Sequence, residues 1–238
     1  MRWDVHYVER TASTNSDLLA RARQGAAPGT VVRAGHQTAG RGRLGRTWQA
    51  PPGSSLLASI LLEAEPVPFV VVARVALAAG DACRDLAGVH PALKWPNDLL
   101  IGGRKLAGIL AEADAGSSVV VVGIGLNVTG DPAEPVPEDL RDHAVALSSV
   151  AAGVPNPSGL LDGLLERLER WLVRPPHEVL VAYRAQCATL GSAVRVQLPS
   201  GILEGTATGI TPTGELEVLD GGATVVVRAG DVVHVRAR

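Results

Sequence analysis

The sequence predicts an α+β fold in two parts, a larger part of strands and helices followed by a small all-β barrel of SH3 size. Segments with helical and with strand periodicity are interspersed up to about residue 189. From residue 191 onward, only short apolar strands separated by Gly, Pro and Asp turns follow. We therefore expect one domain over residues 1–189 and a second over residues 190–238.

The first elements precede and follow a segment without periodicity. Several N-cap candidates in residues 13–17 predict a helix over residues 15–24, with Gly25 as its stop. Residues 31–34 predict a short strand. The glycine- and arginine-rich residues 40–46 show no periodicity, so we expect a loop there.

The remaining elements of the larger part are more apolar. Gly102 and Gly103 are the pair expected in a tight two-residue turn, so they mark a hairpin. In chain order we expect a buried strand over residues 55–62, a helix over 67–86, hairpin arms over 98–101 and 105–112, a strand over 119–128, a surface loop over 131–139, and helices over 159–172 and 177–186.

The C-terminal module has fewer than 50 residues. A module of that size buries little core by itself, so we expect it to pack on the larger domain. Its predicted strands cover residues 194–198, 201–210, 215–219, 223–228 and 232–235.

Composition excludes several classes of protein. Hydrophobic residues make up 46% of the 238 residues, which is typical of a globular chain, and the net charge of −2 favours neither a nucleic-acid nor a membrane partner. The longest apolar stretch contains Pro68 and Arg74 and is too short to span a bilayer. Cys83 and Cys187 show no disulfide or metal spacing and are interpreted as core residues in helix-like segments. We expect a cytoplasmic protein without metal-ligating residues.

The glycine- and arginine-rich segment could bind an anion. Arg41, Arg43 and Arg46 alternate with glycines, which let the backbone approach a ligand while the guanidinium groups bind phosphate or carboxylate oxygens. The segment is neither a Walker A loop nor a dinucleotide fingerprint. A solvated loop and an arginine–glycine patch for nucleic acid remain open alternatives on spacing alone.

A second polar segment contains Lys94, Trp95, Pro96, Asn97 and Asp98. The proline fixes its own φ and makes its predecessor extended, so the neighbouring side chains leave the chain at defined angles. The lysine and the aspartate bring opposite charges to the two sides of this bend. The alternative is a plain turn with a chance salt bridge.

Two further signals are weaker alone. Lys105 begins an otherwise apolar strand, where a lysine is usually solvated but could also bridge a carboxylate and a phosphate. Asn127 ends a strand that contains Gly123 and Gly125, and it could be either a turn former or a ligand contact.

These segments, in this order, resemble the biotin protein ligases over nearly the whole chain. The resemblance rests on the motifs Gly-Arg-Gly-Arg-Leu-Gly-Arg, Lys-Trp-Pro-Asn-Asp and Gly-Arg-Lys-Leu-Ala-Gly-Ile-Leu, with support from Ser-Thr-Asn and Gly-Ile-Gly-Leu-Asn-Val. The resemblance implies a mixed β-sheet flanked by helices, similar to the catalytic domain of class II aminoacyl-tRNA synthetases, followed by an SH3-like barrel. It implies two half-reactions: biotin attacks the α-phosphate of MgATP to give biotinyl-5′-AMP, and an acceptor lysine then takes the biotin.

The resemblance also implies site residues. Lys105, Arg43 and Asp98 would be catalytic, with Lys105 as the main electrostatic catalyst. The residues expected to bind biotin or ATP are Ser13, Thr14, Asn15, Gln37, Gly40, Arg41, Arg43, Arg46, Trp48, Lys94, Asn97, Lys105, Gly108 and Asn127. Among these, Ser13, Thr14, Gln37 and Arg41 would hydrogen-bond the ureido ring of biotin or its surrounding loop. Arg43 and Arg46 would neutralise the phosphates, and Asn127 would lie near the adenine.

The implied partners are ATP, Mg²⁺, biotin and the biotin carboxyl carrier domain of an acyl-CoA or pyruvate carboxylase. A monomer or weak homodimer is expected. Because residues 13–15 come so early, we expect no N-terminal DNA-binding domain and no repressor activity. A C-terminal arginine, Arg236 or alternatively Arg228, would reach ATP. A lipoate protein ligase shares the fold and the adenylation step but should lack the arginine loop and the Lys-Trp-Pro-Asn-Asp string.

Overall fold

Two large β-sheets and four α-helices make up the described part of the protein. The computed structural model describes residues 2–130, 143–198, 201–228 and 231–234. The helices are α1 (Thr14–Arg23), α2 (Pro68–Ala87), α3 (Pro157–Leu172) and α4 (Pro176–Ala185). The strands are β1 (Asp4–Thr11), β2 (Thr30–Gln37), β3 (Gly40–Arg41), β4 (Thr47–Trp48), β5 (Ser55–Glu63), β6 (Ala92–Lys94), β7 (Asp98–Ile101), β8 (Arg104–Glu112), β9 (Val119–Asn127), β10 (Ala193–Leu198), β11 (Gly201–Ile210), β12 (Leu216–Asp220), β13 (Ala223–Val227) and β14 (Asp231–His234).

The larger sheet is mixed and has seven strands in the order β1-β2-β5-β9-β8-β7-β6. The pair β1 and β2 is parallel, and the other neighbours are antiparallel. Helices α2 and α3 pack against each other, and α3 also contacts β5. On α1, Leu18 forms a separate cluster with Val32, Leu61 and Val121. Because helices contact β5 through both clusters, the strand is buried at almost every position, which explains its unbroken apolar run.

Local signals define the helix ends. Pro68 occupies the first turn of α2, and Gly88 ends the helix in the left-handed conformation with φ 66°. The side chain of Asn156 caps α3 by accepting a hydrogen bond from the Gly159 backbone N–H over 2.9 Å. Among the described helices, none is long and apolar enough to cross a membrane.

The second sheet contains the last five strands in the order β13-β12-β11-β10-β14, all antiparallel. It contacts the larger part directly, as expected from its size. Trp95 donates its indole N–H to the Gly214 carbonyl over 2.9 Å, and Arg184 of α4 donates to the Ile210 carbonyl over 2.6 Å. The buried valines of this sheet belong to the same hydrophobic core as α2.

The predicted helices and the hairpin around Gly102 and Gly103 are confirmed to within one or two residues. The expectation of a loop over residues 40–46 is wrong at its start, because residues 40 and 41 form β3, which pairs with β4 as a short hairpin; a 3₁₀ turn, Arg43–Gly45, lies between the two strands. The residues of this hairpin are mostly polar, so they show no hydrophobic periodicity from which the hairpin could have been predicted. Strand β1 was not predicted, since as an edge strand it keeps many exposed positions. The loop predicted over residues 131–139 lies outside the described residues.

The prediction for the two cysteines is half right. Both thiols are buried, and Cys83 lies in α2. Cys187 is not helical: it follows α4 and forms an isolated bridge with Leu93. The helical spacing of residues 177–186 ends just before Cys187, so the periodicity could not show whether this residue belongs to the helix or follows it.

Candidate active site

A cleft opens at the N-terminus of α1, between the β3–β4 hairpin and strands β6 to β8. It encloses about 890 Å³, including the part open to solvent. It brings together side chains that are far apart in the sequence. The predicted site residues that line it are Ser13, Thr14, Asn15, Gln37, Arg41, Arg43, Arg46, Trp48, Lys94, Asn97, Asp98, Lys105 and Gly108.

Two glycines form the floor of the cleft. Gly108 of β8 and Gly125 of β9 are register partners, and the indole of Trp48 packs on both. A Cβ at Gly125 would overlap the indole, and a Cβ at Gly108 would lie 3.2 Å from Trp48 Cζ3. The position of Gly125 therefore requires glycine, because any side chain would displace the tryptophan, whereas a side chain at Gly108 would force its neighbours to shift by only a few tenths of an ångström. Lys105 Nζ lies 5.7 Å from the centroid of the same ring.

An ion pair lies at the centre of the cleft. Lys105 Nζ is 2.7 Å from Asp98 Oδ1, and the two side chains are 38% and 17% exposed. Lys94 faces Asp98 across the β6–β7 pair. The bend between β6 and β7 therefore places Lys94 opposite Asp98, as the spacing of residues 94–98 suggested, and the ion pair of Asp98 with Lys105 was not predicted.

Asn97 ties this bend to the neighbouring strand. Its side-chain Nδ2 donates to the Ile109 carbonyl over 2.8 Å, and the backbone carbonyl of Asn97 accepts from the Ile109 N–H over 2.9 Å. Its Oδ1 accepts a hydrogen bond from Arg43 over 3.3 Å. The arginine loop and the Lys-Trp-Pro-Asn-Asp segment are thus in direct contact.

Polar side chains form a buried network behind the α1 end of the cleft. Gln37 Oε1 accepts from the Thr14 backbone N–H over 2.7 Å. Ser59 Oγ lies 2.7 Å from Thr14 Oγ1 and 2.5 Å from Asn15 Oδ1. Arg41 joins the far side of this network by donating to Glu112 Oε2 over 2.9 Å.

Ser59 and Glu112 are functional candidates that sequence reasoning missed. Ser59 is fully buried at the centre of an apolar strand, and a buried hydroxyl in such a run is itself a signal for a polar partner. Glu112 had no comparable signal, because an acidic residue at a strand end is usually solvated.

Gly40 and Asn127, although predicted to bind ligands, are not among the described residues that line the cleft. Gly40 allows close approach instead, since a Cβ there would lie 2.9 Å from Gln37 Nε2. Asn127 is 6% exposed, and its Nδ2 donates to the Val145 and Lys105 carbonyls over 3.2 and 3.5 Å. Asn127 therefore contacts the backbone of Lys105, and the contact of Asn127 with adenine stays a prediction.

The C-terminal sheet contributes Val232 to the cleft. Arg228 is not among the lining residues; its Nε lies 3.6 Å from Glu215 Oε1. Hydrogen bonds from the hydroxyls of Thr211 and Thr213 lower the pKa of that glutamate, and Arg228 adds to the effect. Arg236, the other predicted ATP contact, lies outside the described residues.

Positive charge dominates the cleft. Arg41, Arg43, Arg46, Lys94 and Lys105 line it, and Asp98 is the one carboxylate among its described lining residues. Within the described ranges no cluster of three or more His, Cys, Asp or Glu could hold a metal ion. Such a surface suits an anionic ligand, since cations lower the repulsion between negative groups.

Comparison with known proteins agrees with this chemistry. The pattern of the Biotin/lipoate A/B protein ligase family matches residues 7–129, more than half of the chain, and that of the Biotin protein ligase C terminal domain matches residues 189–235. The chain belongs to the biotin/lipoate protein ligase family. Its arginine loop and its cleft are therefore those of a family member.

Similar proteins cover almost the whole chain. The biotin--[acetyl-CoA-carboxylase] ligase of Mycobacterium tuberculosis is 44% identical over 96% of this chain and 88% of its own length. The ligase of the same name from Paracoccus denitrificans is 32% identical over 94% of this chain and 97% of its own. The structure of the biotin protein ligase from Aquifex aeolicus in complex with biotin and ATP has a TM-score of 0.84 and 25% identity, covering 98% of this chain and 99% of that one.

Proposed function

We propose that this protein is a biotin protein ligase. It would activate biotin with MgATP to biotinyl-5′-AMP and pyrophosphate, and then transfer the biotin to a lysine of an acceptor protein with release of AMP. The observation that carries this proposal is the cationic cleft around the Lys105–Asp98 pair, in a chain whose similar proteins include biotin--[acetyl-CoA-carboxylase] ligases.

In the first half-reaction two anions must meet. A biotin carboxylate oxygen forms a bond to the α-phosphorus, and the bond from that phosphorus to the bridging oxygen of the leaving pyrophosphate breaks. Lys105 would contact the carboxylate and the α-phosphate and stabilise the charge that develops between them. No covalent enzyme intermediate is needed.

The α1 end of the cleft would bind the ureido ring of biotin. Ser13 and Thr14 lie at the helix start, and the Ser13 side chain makes no cap hydrogen bond within the helix. With Gln37 and Arg41 they supply both donors and acceptors to a cyclic urea. Asn15 would support Thr14, and Gly40 would let the loop close around the ring.

The opposite end would bind ATP. Arg43 and Arg46 would neutralise phosphates and help retain the reactive adenylate, and Trp48 would pack near both ligands. Asn97 and Asp98 would orient the phosphates, the metal or the incoming lysine, with Lys94 supporting this group. A single carboxylate in a cleft suits Mg²⁺ that arrives with the ATP phosphates, because Mg²⁺ keeps several waters and needs few protein ligands.

The acceptor would be a biotin carboxyl carrier domain of an acyl-CoA or pyruvate carboxylase. Its lysine amine would attack the acyl carbon of the mixed anhydride, and the bond to the AMP oxygen would break. Closure of the arginine loop over the adenylate would keep water from reaching it first. We place the reaction in the cytoplasm, in a monomer or weak homodimer.

The architecture can be proposed in finer terms as well. We place the domain boundary at residues 189 and 190, between the end of α4 at Ala185 and the start of β10 at Ala193, and we propose that the five-stranded antiparallel sheet curls into an SH3-like barrel. The buried face of β10, β11 and β12 supports this, since alternate residues on these strands are buried.

Pyrophosphate release from MgATP tests the function. Biotin should stimulate release and lipoate should not, and a carrier domain should then become biotinylated at one lysine. Release with lipoate instead of biotin would transfer the assignment to the lipoate ligases. Release with neither acid would contradict adenylation altogether.

A further inference from the structure

The side-chain amide of Asn15 has a fixed orientation. Its Nδ2 lies 2.7 Å from Glu112 Oε2 and 3.2 Å from the Leu110 carbonyl oxygen. A carboxylate and a carbonyl only accept hydrogen bonds, so both amide hydrogens must face them. The Oδ1 atom therefore faces Ser59 as an acceptor. Arg41 donates to the same Glu112 oxygen, which keeps this carboxylate in place.

This orientation determines where the proton of Ser59 lies. The 2.5 Å contact between Ser59 Oγ and Asn15 Oδ1 needs a proton between the two oxygens, and only the serine can supply it. Ser59 has one proton. The 2.7 Å contact between Ser59 Oγ and Thr14 Oγ1 must then be filled by the proton of Thr14. Ser59 is fully buried, so bulk water cannot take over either bond.

The hydroxyl of Thr14 consequently points its proton away from the cleft. A competing contact with Gln37 Oε1 is longer, at 3.0 Å, and Thr14 has a single hydroxyl proton, which the contact with Ser59 requires. The lone pairs of Thr14 Oγ1 are left at the cleft wall, which this residue lines. The chain from Glu112 thus makes a hydroxyl, which could donate or accept, into an acceptor.

We propose that Glu112 and Ser59 determine substrate specificity by fixing the Thr14 hydroxyl as an acceptor for a ring N–H of the substrate's cyclic urea. This inference rests on the proposed function. An acceptor at this position favours an N–H group and repels an ether oxygen. Buried polar sites of this kind can reject an analogue that lacks the N–H by a factor of roughly 10⁴–10⁵. Both residues act through Thr14, so they are positioning residues.

A comparison of two ligands tests the proposal. Desthiobiotin keeps the cyclic urea, whereas its cyclic carbamate analogues have an ether oxygen in place of one or the other ring N–H. Calorimetry would give the Kd of each for the wild type and for Ser59→Ala. We expect the wild type to prefer the urea over at least one carbamate by about a hundredfold or more.

In Ser59→Ala the proton of Thr14 is released, so it can turn toward Gln37 Oε1 or toward the ligand. The preference for the urea should therefore fall at least tenfold, because the carbamate gains a donor. Glu112→Gln should lower the ratio in the same direction, since its side chain can present an N–H to Asn15. The control is Thr30→Val, which removes a buried hydroxyl that bonds to the Ala27 carbonyl at the opposite end of β2 from Gln37. It should keep the wild-type ratio.

The ratio distinguishes specificity from plain structural damage. A structural role would weaken both ligands equally, so an unchanged ratio in both variants overturns the proposal even when both affinities fall. If Ser59→Ala does not fold, Glu112→Gln decides the matter alone. A wild type that binds none of these ligands would contradict the proposed function itself.

Discussion

Removal of the Lys105 ammonium should slow adenylation strongly. At about 4 Å two unit charges interact by roughly 4 kcal/mol at an effective dielectric constant of 20 and by about 1 kcal/mol in bulk water. Lys105 is 38% exposed, so its environment lies between these limits. We therefore expect Lys105 to stabilise the transition state by about 2–3 kcal/mol, so the adenylation rate of Lys105→Ala should be roughly 30- to 150-fold lower than that of the wild type.

The assay is biotin-dependent pyrophosphate release under saturating MgATP, with thermal unfolding as the check on folding. Arg23→Ala is the matched control, because it also removes a cation from an ion pair, the exposed one with Asp114 at 2.7 Å. It should leave the rate unchanged. A folded Lys105→Ala enzyme that keeps its rate within threefold of the wild type would refute the electrostatic role of Lys105.

Two further predictions concern stability and reactivity. Trp95→Phe removes the indole N–H that bonds to the Gly214 carbonyl, so the free energy of unfolding in urea should fall by about 1–3 kcal/mol. Trp3→Phe is the control, because the indole N–H of Trp3 makes no hydrogen bond to any of the described residues. Equal stability of the two variants would contradict the role of the Trp95 hydrogen bond. Burial raises the pKa of the Cys83 thiol to about 12, so peptide mapping should find it unlabelled by iodoacetamide at pH 8.5 in the folded protein and labelled in urea. The unfolded thiol ionises near pH 9 while the folded one stays protonated, so the stability gained by burying the protonated thiol is fully present below pH 9 and is lost as the pH rises towards 12. Labelling of folded Cys83 at pH 8.5 would contradict this prediction, because it would show that the thiol is accessible.

Local patterns in the sequence determined most of the elements and the chemistry of the cleft. The glycine pair at residues 102 and 103 predicted the hairpin, because a tight turn leaves few alternatives to glycine. The bend at Pro96 predicted that Lys94 and Asp98 bring opposite charges to its two sides, and in the structure the two residues are register partners. Both inferences depend only on residues near each other in the chain.

Contacts between distant residues were decided by the tertiary structure. Ser59 and Glu112 lie in different strands, and nothing near them in the sequence indicates that they meet Asn15 of α1. The same holds for Trp95 and Gly214, which are 119 residues apart. Asn127 ends a strand, and only the fold shows that its Nδ2 donates to the backbone carbonyl of Val145, 18 residues further along the chain. The sequence by itself predicted most of the polar and charged side chains that line the cleft. The packing of strands and helices decided which of them touch, because hydrogen bonds over such separations depend on sheet order and register.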